Sequence, residues 1–191
     1  LWNLQHQLTF SLLLMSMKKI LILFCFASFL GCATKTYAPF KIGVIADCQY
    51  CDCEVKWARF YKKSPQRLKD AIAELNKDSL AYTIHLGDFI DQKMSSLDSV
   101  LPTWKNLKST SYHVLGNHDF DVGQTNKEKL IEKLNLKNRY YSFIKDDWRF
   151  IVLDGNDLSF YGTTTKEKEQ QTDSLFNQLK DKNLPYLKKW N

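Results

Sequence analysis

The chain contains FKIGVIADCQ at residues 40–49, YTIHLGDFID at residues 82–91 and YHVLGNHD at residues 112–119. Each segment opens with a nearly continuous apolar run that includes β-branched residues, which is typical of a strand buried in a sheet. Each run then passes directly into glycine or polar residues. The segments therefore predict three buried strands, over 40–46, 82–86 and 112–115.

Helical patterns and one hairpin occupy the rest of this region. Ser64 is expected to cap a helix that has Pro65 at its first position and an apolar face that includes Leu68 and Ile72. Pro102 is expected to break a second helical pattern or to start a new one. The remaining predictions are helices over 96–107, 126–134 and 166–180, and a hairpin of 140–144 with 148–153. The order β-α-β-α-β-α-β-β-α predicts an α/β layered fold.

The polar residues at the three strand ends are the candidate site. In open α/β sheets, ligands bind at the carboxyl ends of the strands. Two divalent ions close together need a bridging carboxylate flanked by oxygen and nitrogen ligands, and glycines at 87 and 116 allow the backbone to approach a phosphate closely. Taken singly, Asp47, Asp91 and Asn117 could each serve a turn or a helix cap. Three polar strand ends in order favour a shared metal site.

These motifs resemble the calcineurin-like metallophosphoesterases, whose pattern is D-x-H, then G-D-x-x-D, then G-N-H-D/E. This chain has Gln49 at the position of the first histidine. The D-x-Q variant is similar to the manganese-dependent ADP-ribose/CDP-alcohol diphosphatase branch. The contexts IGVIADCQY, LGDFIDQ, LGNHDF and WRFIVLDGND also resemble that branch. The resemblance implies an α/β/β/α sandwich.

The resemblance implies a role for each motif residue. Asp47 and Gln49 would bind the first metal, Asp88 would bridge two divalent ions, and Asn117 would bind the second. His118 would contact the phosphate or protonate the leaving oxygen, and Asp91 would orient His118. An amide at position 49 suits a harder ion than zinc. Manganese is therefore the favoured cofactor, with iron, zinc and magnesium as alternatives.

The family's remaining ligands are histidines, and no histidine follows His118 in this chain. We therefore expect residues 40–191 to be the N-terminal part of a metallophosphoesterase domain whose C-terminal half is missing, and the fragment to be of doubtful activity. Without a second sheet, one face of the first sheet would be left as an exposed apolar patch.

The leading functional hypothesis is hydrolysis of the phosphoanhydride bond in ADP-ribose-like or CDP-alcohol-like conjugates. The partner would be a small phosphorylated molecule. One alternative is another metallophosphoesterase activity, on phosphomonoesters or phosphodiesters, because fold and motifs are shared across these activities. Another is a non-catalytic, truncated surface lipoprotein.

The N-terminal region predicts export. Met17 is followed by Lys18, Lys19 and an uncharged apolar run over 20–30, too short to span a bilayer comfortably. The run ends in FLGC, which resembles a bacterial lipobox with Cys32 as the lipidated residue. We expect a leader and signal peptide over 1–32, a tether over 33–39, and a lipid-anchored or periplasmic protein. An ordinary signal peptide is the alternative.

Charge and the remaining reactive side chains complete the sequence-based expectations. The net charge of +6 reflects lysines dispersed among glutamates, so no nucleic-acid partner is expected. Cys48, Cys51 and Cys53 could bind zinc, form a disulfide (51–53 or 48–51) or have no shared role. The other expectations are core histidines at 85 and 113, a histidine of the leader at 6, and a turn or substrate loop at 154–157.

Overall fold

The computed structural model describes residues 38–182. The chain divides into two compact units, Leu1–Pro39 and Phe40–Asn191, and all the elements below belong to the second. The predicted leader, the signal peptide, Cys32, His6 and most of the tether lie outside the described residues. Within 38–182, no helix has both the length and the apolar character needed to cross a membrane.

A three-stranded parallel sheet forms the centre of the fold. Its strands are β1 (Lys41–Ile45), β2 (Leu80–His85) and β3 (Ser111–His113), in the spatial order β1-β2-β3. Val44 lies opposite Ile84, and His85 lies opposite His113. All three strands fall within or next to the runs predicted from the sequence.

Within the described residues, four helices and one hairpin accompany this sheet. The helices are α1 (Ser64–Leu75), α2 (Ser96–Trp104), α3 (Lys127–Lys133) and α4 (Lys166–Asp181). β4 (Tyr141–Lys145) and β5 (Trp148–Val152) pair as an antiparallel hairpin. Short 3₁₀ turns lie at Tyr61–Lys63, His118–Phe120 and Gln124–Asn126. The predicted order of elements and the α/β fold class are confirmed.

Two local expectations about helix ends are wrong. Ser64 does not cap α1, because the turn at Tyr61–Lys63 runs directly into the helix, and Lys63 occupies the capping position without a side-chain hydrogen bond. Pro102 lies inside α2 and neither breaks nor starts it. The helix extends only two residues further, and the burial of Val100 and Trp104 stabilises a turn that proline alone disfavours.

One face of the sheet packs against α1 and α2. The core on this side includes Leu68 and Ile72 of α1 and Leu97, Val100 and Trp104 of α2. Burying an apolar side chain of this size stabilises a fold by about 1.5–3 kcal/mol relative to exposure. These helices hold β1 and β2 in place, and with them the strand ends that carry the candidate site.

The other face of the sheet packs against the hairpin. Tyr82 of β2 makes edge-to-face contacts with Phe143 and Phe150, each with ring centroids 5.0 Å apart. Tyr112 of β3 stacks on Phe143 with a centroid distance of 3.6 Å. Each such pair contributes about 0.5–1.5 kcal/mol beyond its buried area. The sheet thus lies between a helical layer and a β layer.

The hairpin covers only part of that face. Val44 of β1 remains 50% exposed, and Ile42 remains 42% exposed. Ile151 of β5 is 67% exposed on the outer side of the hairpin. The apolar runs of β1 and β5 are therefore not buried on both faces in this unit, and an exposed apolar surface is present, as expected.

Candidate metal centre

The segments that follow β1 and β2 run side by side beyond the strands themselves. Asp47 N donates to Gly87 O at 3.2 Å, and Gln49 N donates to Asp88 O at 2.7 Å. Further along, Asp91 N donates to Tyr50 O at 2.9 Å. Since backbone bonds fix these segments in parallel, the predicted metal ligands of the first two motifs lie at the same edge of the sheet.

Asp88 is the point at which all three motifs meet. Its Oδ2 accepts a hydrogen bond from Gln49 Nε2 at 3.4 Å, and its Oδ1 accepts one from His118 N at 3.0 Å. The adjacent Gly116 makes this possible, because a Cβ there would lie 2.1 Å from Asp88 Oδ1. Gly87, with φ of 103°, is equally restricted, since a Cβ would lie 2.7 Å from Gly116 N.

Three of the four predicted ligands adopt a left-handed backbone conformation. The φ angles are 54° at Asp47, 42° at Gln49 and 56° at Asp88. Such conformations cost non-glycine residues about 1–3 kcal/mol each and cluster at functional sites in proteins. The surrounding hydrogen bonds hold these residues in strained positions at the edge where a ligand site was predicted.

Asp91 and His118 lie in direct contact. His118 Nδ1 is 3.2 Å from Asp91 Oδ1, and the Asp91 side chain is 3% exposed while that of His118 is 22% exposed. A buried carboxylate at Nδ1 favours the tautomer that keeps Nε2 free for chemistry. The geometry is that of an oriented imidazole.

Asp119 binds the backbone of both glycine motifs. Its Oδ1 accepts from Phe89 N at 2.8 Å and Ile90 N at 3.0 Å. Its Oδ2 accepts from Asp88 N at 3.0 Å and Gly116 N at 2.9 Å. Burial raises the pKa of Asp119 to about 6, while these N–H donors oppose the shift. Sequence reasoning assigned no role to this residue, although its place in the G-N-H-D motif marked it.

Asp47 and Asn117 are the other two predicted metal ligands at this edge of the sheet. Asp47 is exposed, and its carboxylate forms no hydrogen bond or ion pair with another residue of the described range. Asn117 precedes the turn that carries His118, and its carbonyl accepts from Phe120 N at 3.2 Å. Both residues therefore lie at the edge defined by Asp88.

The donor set fits hard divalent ions. The four predicted ligands, Asp47, Gln49, Asp88 and Asn117, offer carboxylate and amide oxygens, which suit magnesium and manganese better than zinc. Across residues 38–182, no group of three His, Cys, Asp or Glu is arranged to hold a metal. The predicted ligands are therefore rich in oxygen donors, and no cluster of histidines lies among the described residues.

Arg59 was missed by sequence reasoning. The pKa of its guanidinium lies above its usual value, first because of a side-chain hydrogen bond with Tyr61 and then because of the nearby charges of Asp91 and Asp88. Arg59 is exposed at the end of a tight turn in which Arg59 N donates to Lys56 O at 3.0 Å. No sequence motif indicates Arg59, because its closeness to Asp88 depends on the path of the loop that carries it.

The loop after β5 is tied to the same region by buried polar contacts. Arg139 Nε lies 2.7 Å from Asp154 Oδ2, and the guanidinium lies 4.4 Å from the ring centre of Phe120. Asn156 is buried, and its Nδ2 donates to Leu115 O at 3.1 Å. Residues 154–157 therefore form a structural turn that supports the segment leading to Gly116.

The structure shows which cysteines pair and where the two predicted core histidines lie. Cys51 and Cys53 form a disulfide, whereas Cys48 is free and buried. His85 and His113 are core residues, as expected, with pKa values lowered by burial to about 3 and about 4. Among residues 38–182, His85 Nε2 and His113 Nδ1 have no hydrogen-bond partner.

Comparison with known families agrees with this geometry. The pattern of the family described as calcineurin-like phosphoesterase matches residues 40–190. The chain belongs to this family.

Similar curated proteins are manganese-dependent ADP-ribose/CDP-alcohol diphosphatases. The mouse protein is 35% identical over 156 residues, which cover 64% of this chain and 46% of the mouse protein. The zebrafish protein is 30% identical over 181 residues, which cover 76% of this chain and 56% of the relative. This chain spans about half the length of the curated relatives it matches.

One solved structure is similar in fold. It is a dimetal phosphatase from Danio rerio, with a TM-score of 0.62 and 26% sequence identity. The match covers 73% of this chain and 52% of that structure.

Proposed function

We propose that this chain carries the first half-site of a metal-dependent phosphohydrolase that cleaves the phosphoanhydride bond of nucleoside diphosphate conjugates. The observation that carries the proposal is the meeting of three motifs at Asp88. Its carboxylate contacts Gln49 on one side and the His118 turn on the other. A carboxylate shared between two ligand segments suits an ion-bridging role.

The identity of residue 49 supports the diphosphatase branch over other phosphoesterases. The chain has the D-x-Q motif, and the curated relatives at 30–35% identity are manganese-dependent ADP-ribose/CDP-alcohol diphosphatases. A neutral amide oxygen binds manganese or magnesium without the preference for zinc that imidazole confers. We infer that manganese is the ion and that an ADP-ribose-like or CDP-alcohol-like molecule is the substrate.

The residues of the edge have distinct proposed roles. Asp47, Gln49, Asp88 and Asn117 would hold two divalent ions, which polarise the phosphate when bound. His118, oriented by Asp91 at 3.2 Å, would in its imidazolium form donate the Nε2 proton to the leaving phosphate oxygen. Protonation lowers the charge on the leaving group and so speeds its departure.

Arg59 is proposed to bind a substrate phosphate. Its guanidinium is exposed and lies near enough to Asp88 and Asp91 for their charges to act on it. A guanidinium can bind two phosphate oxygens at once and stays charged at every working pH. It would hold the substrate over the ions with the scissile bond facing His118.

Metal binding and hydrolysis can be tested with one variant that leaves the fold untouched. Asp47→Asn keeps the shape of a side chain that makes no hydrogen bond in the described structure, and asparagine tolerates a φ of 54°. Asp78→Asn is the matched control, because Asp78 is an exposed carboxylate paired with Lys41 on another part of the surface. Free Mn²⁺ is followed by electron paramagnetic resonance, and release of AMP from ADP-ribose is measured in parallel.

We expect the parent chain and Asp78→Asn to bind Mn²⁺ equally and Asp47→Asn to bind it about tenfold more weakly or worse. Equal binding by all three proteins would contradict the metal site itself. Metal binding that depends on Asp47, together with hydrolysis of a phosphomonoester but not ADP-ribose, would contradict only the proposed substrate.

We also propose that the protein is exported and lipidated at Cys32. The support is the basic, apolar and cysteine-containing pattern of residues 17–32. Expression in a bacterium supplied with labelled palmitate is expected to label the full chain, and Cys32→Ser is expected to remove the label. Cys25→Ser is the control. Equal labelling of the Cys32 variant would overturn the proposal.

A further inference from the structure

A cleft of about 600 Å³ lies beside β3. Its walls come from β3, the last turn of α2, the end of α3 with the turn that follows, and the start of β4. Small-molecule sites in proteins measure about 300–1,000 Å³. This space, called the β3 cleft below, is therefore large enough for a ligand, and it shares no residue with the predicted metal ligands.

The charged residues known to line the β3 cleft are all basic. Among the described residues, Lys105, Lys133 and Lys137 line it, and no aspartate or glutamate does. Lys133 is paired with Asp98, which lies outside the lining, at 2.6 Å. Neither Lys105 nor Lys137 forms an ion pair within the described part of the chain. Two ammonium groups are thus free to bind an anion.

Flat rings form the inner wall of the β3 cleft. Trp104, Tyr112, His113 and Tyr141 all line it. Tyr112 of β3 and Tyr141 of β4 contact each other, with centroids 6.3 Å apart and an angle of 29° between the rings. These two rings are partly exposed and offer contacts to a planar ligand, whereas Trp104 and His113 are buried.

The edge of β3 at this cleft is not open to an added strand. The hydroxyl of Tyr141 donates to His113 O at 2.6 Å and accepts from His113 N at 3.2 Å. One side chain thereby occupies the backbone N–H and C=O of His113, which an incoming strand would need. The β3 cleft is therefore suited to a compact ligand and not to an extended peptide.

Two buried polar atoms of the lining residues have no hydrogen-bond partner among residues 38–182. They are Trp104 Nε1 and His113 Nδ1, in residues that are 3% and 7% exposed. Burying an indole N–H without an acceptor is unfavourable, and most buried polar groups in proteins are satisfied. The wall of the cleft therefore contains an unsatisfied donor that is covered in this structure.

We propose that the β3 cleft binds a small organic anion that carries a flat ring, the chemistry of a nucleoside monophosphate. Lys105 and Lys137 bind the phosphate, and the ring lies against the aromatic wall. The site is separate from the metal edge and does not depend on the function proposed for that edge.

Isothermal titration of the full chain with AMP, in the presence of a chelator, tests the proposal. Adenosine and orthophosphate are titrated separately as the two halves of the ligand. The test variant is Lys105→Glu with Lys137→Glu, and the control is Lys69→Glu, a charge reversal at an exposed lysine of α1 with no ion pair among described residues. Circular dichroism checks that each variant is folded, and the single variants replace the double one if it is not.

We expect one AMP per chain, with adenosine and orthophosphate each bound about tenfold more weakly or worse. The double variant should bind AMP about tenfold more weakly, whereas the control should stay within about twofold of the parent chain. Absence of AMP binding, equal binding by the double variant, or orthophosphate binding as tightly as AMP would overturn the proposal. Loss of AMP binding in Asp47→Asn would place AMP at the metal edge and would overturn it as well.

Discussion

Replacing Asp119 with asparagine changes one carboxylate oxygen into an NH₂ group and leaves the shape of the side chain unchanged. In the parent chain, the two oxygens each accept two backbone N–H groups, at distances between 2.8 and 3.0 Å. Asparagine can satisfy one pair only. Either Phe89 N and Ile90 N, or Asp88 N and Gly116 N, will face an NH₂ donor and lose their acceptor.

The magnitude follows from the number of donors left unpaired. Each buried N–H without an acceptor costs about 1–3 kcal/mol, so two of them cost about 2–6 kcal/mol. Because 1.4 kcal/mol corresponds to a factor of ten in an equilibrium constant, the segment should open about thirtyfold more often, or more. The effect should be strongest at one of the two pairs of amides.

Hydrogen–deuterium exchange of the full chain measures this opening directly. We expect the amides of 88–90 and 116 to exchange about thirtyfold faster in Asp119→Asn than in the parent chain. Asp98→Asn is the control, because among the described residues its exposed carboxylate binds only Lys133 and exposed pairs contribute about 0–1 kcal/mol. If Asp119→Asn and the control exchange alike at these amides, Asp119 does not hold the two glycine motifs together.

Two further predictions concern the glycine at the site and the buried histidines. Gly116→Ala places a Cβ 2.1 Å from Asp88 Oδ1, so urea unfolding should show a free energy of unfolding that is about 1–3 kcal/mol lower. Gly155→Ala is the control, because a Cβ there meets nothing within 4 Å. Equal losses of stability in the two variants would refute the steric argument. Burial lowers the pKa of His113 to about 4 and that of His85 to about 3. The unfolded chain therefore takes up protons below about pH 6.5 that the folded chain does not, and the free energy of unfolding should fall as the pH drops from about 6.5 to about 4. His113→Phe should flatten this slope in urea unfolding at pH 7 and 4.5, and an unchanged slope would show that His113 does not titrate as inferred.

The placement of the strand ends could be predicted because it follows from general rules of parallel sheets. Buried strands have apolar runs, and their carboxyl ends meet at one edge. Those two rules alone predict that Asp47, Asp88 and His118 lie in the same region. The hairpin was equally predictable, since two alternating runs flank the short polar turn at 145–147.

Contacts between side chains distant in sequence could not be predicted in the same way. Arg139 reaches Asp154 and the ring of Phe120, and no local pattern encodes that meeting. The disulfide is a similar case, because the spacing of three nearby cysteines allowed several pairings and only the path of the loop selects Cys51 with Cys53. Pro102 remained helical because burial of its neighbours outweighs local propensity.

The G-N-H-D motif combines residues of two kinds, which limits what a motif match can prove. Gly116 and Asp119 are required by the fold, since one avoids a collision with Asp88 and the other binds four backbone N–H groups. A protein without catalytic activity would therefore still need both residues in order to fold. Asp47 is different, because it is exposed, adopts a strained φ of 54°, and its carboxylate has no hydrogen-bond partner among the residues described. Stability gives no reason to keep a carboxylate there, so its side chain is the more informative evidence for a metal-binding edge, and this is why the Asp47 variant separates function from fold.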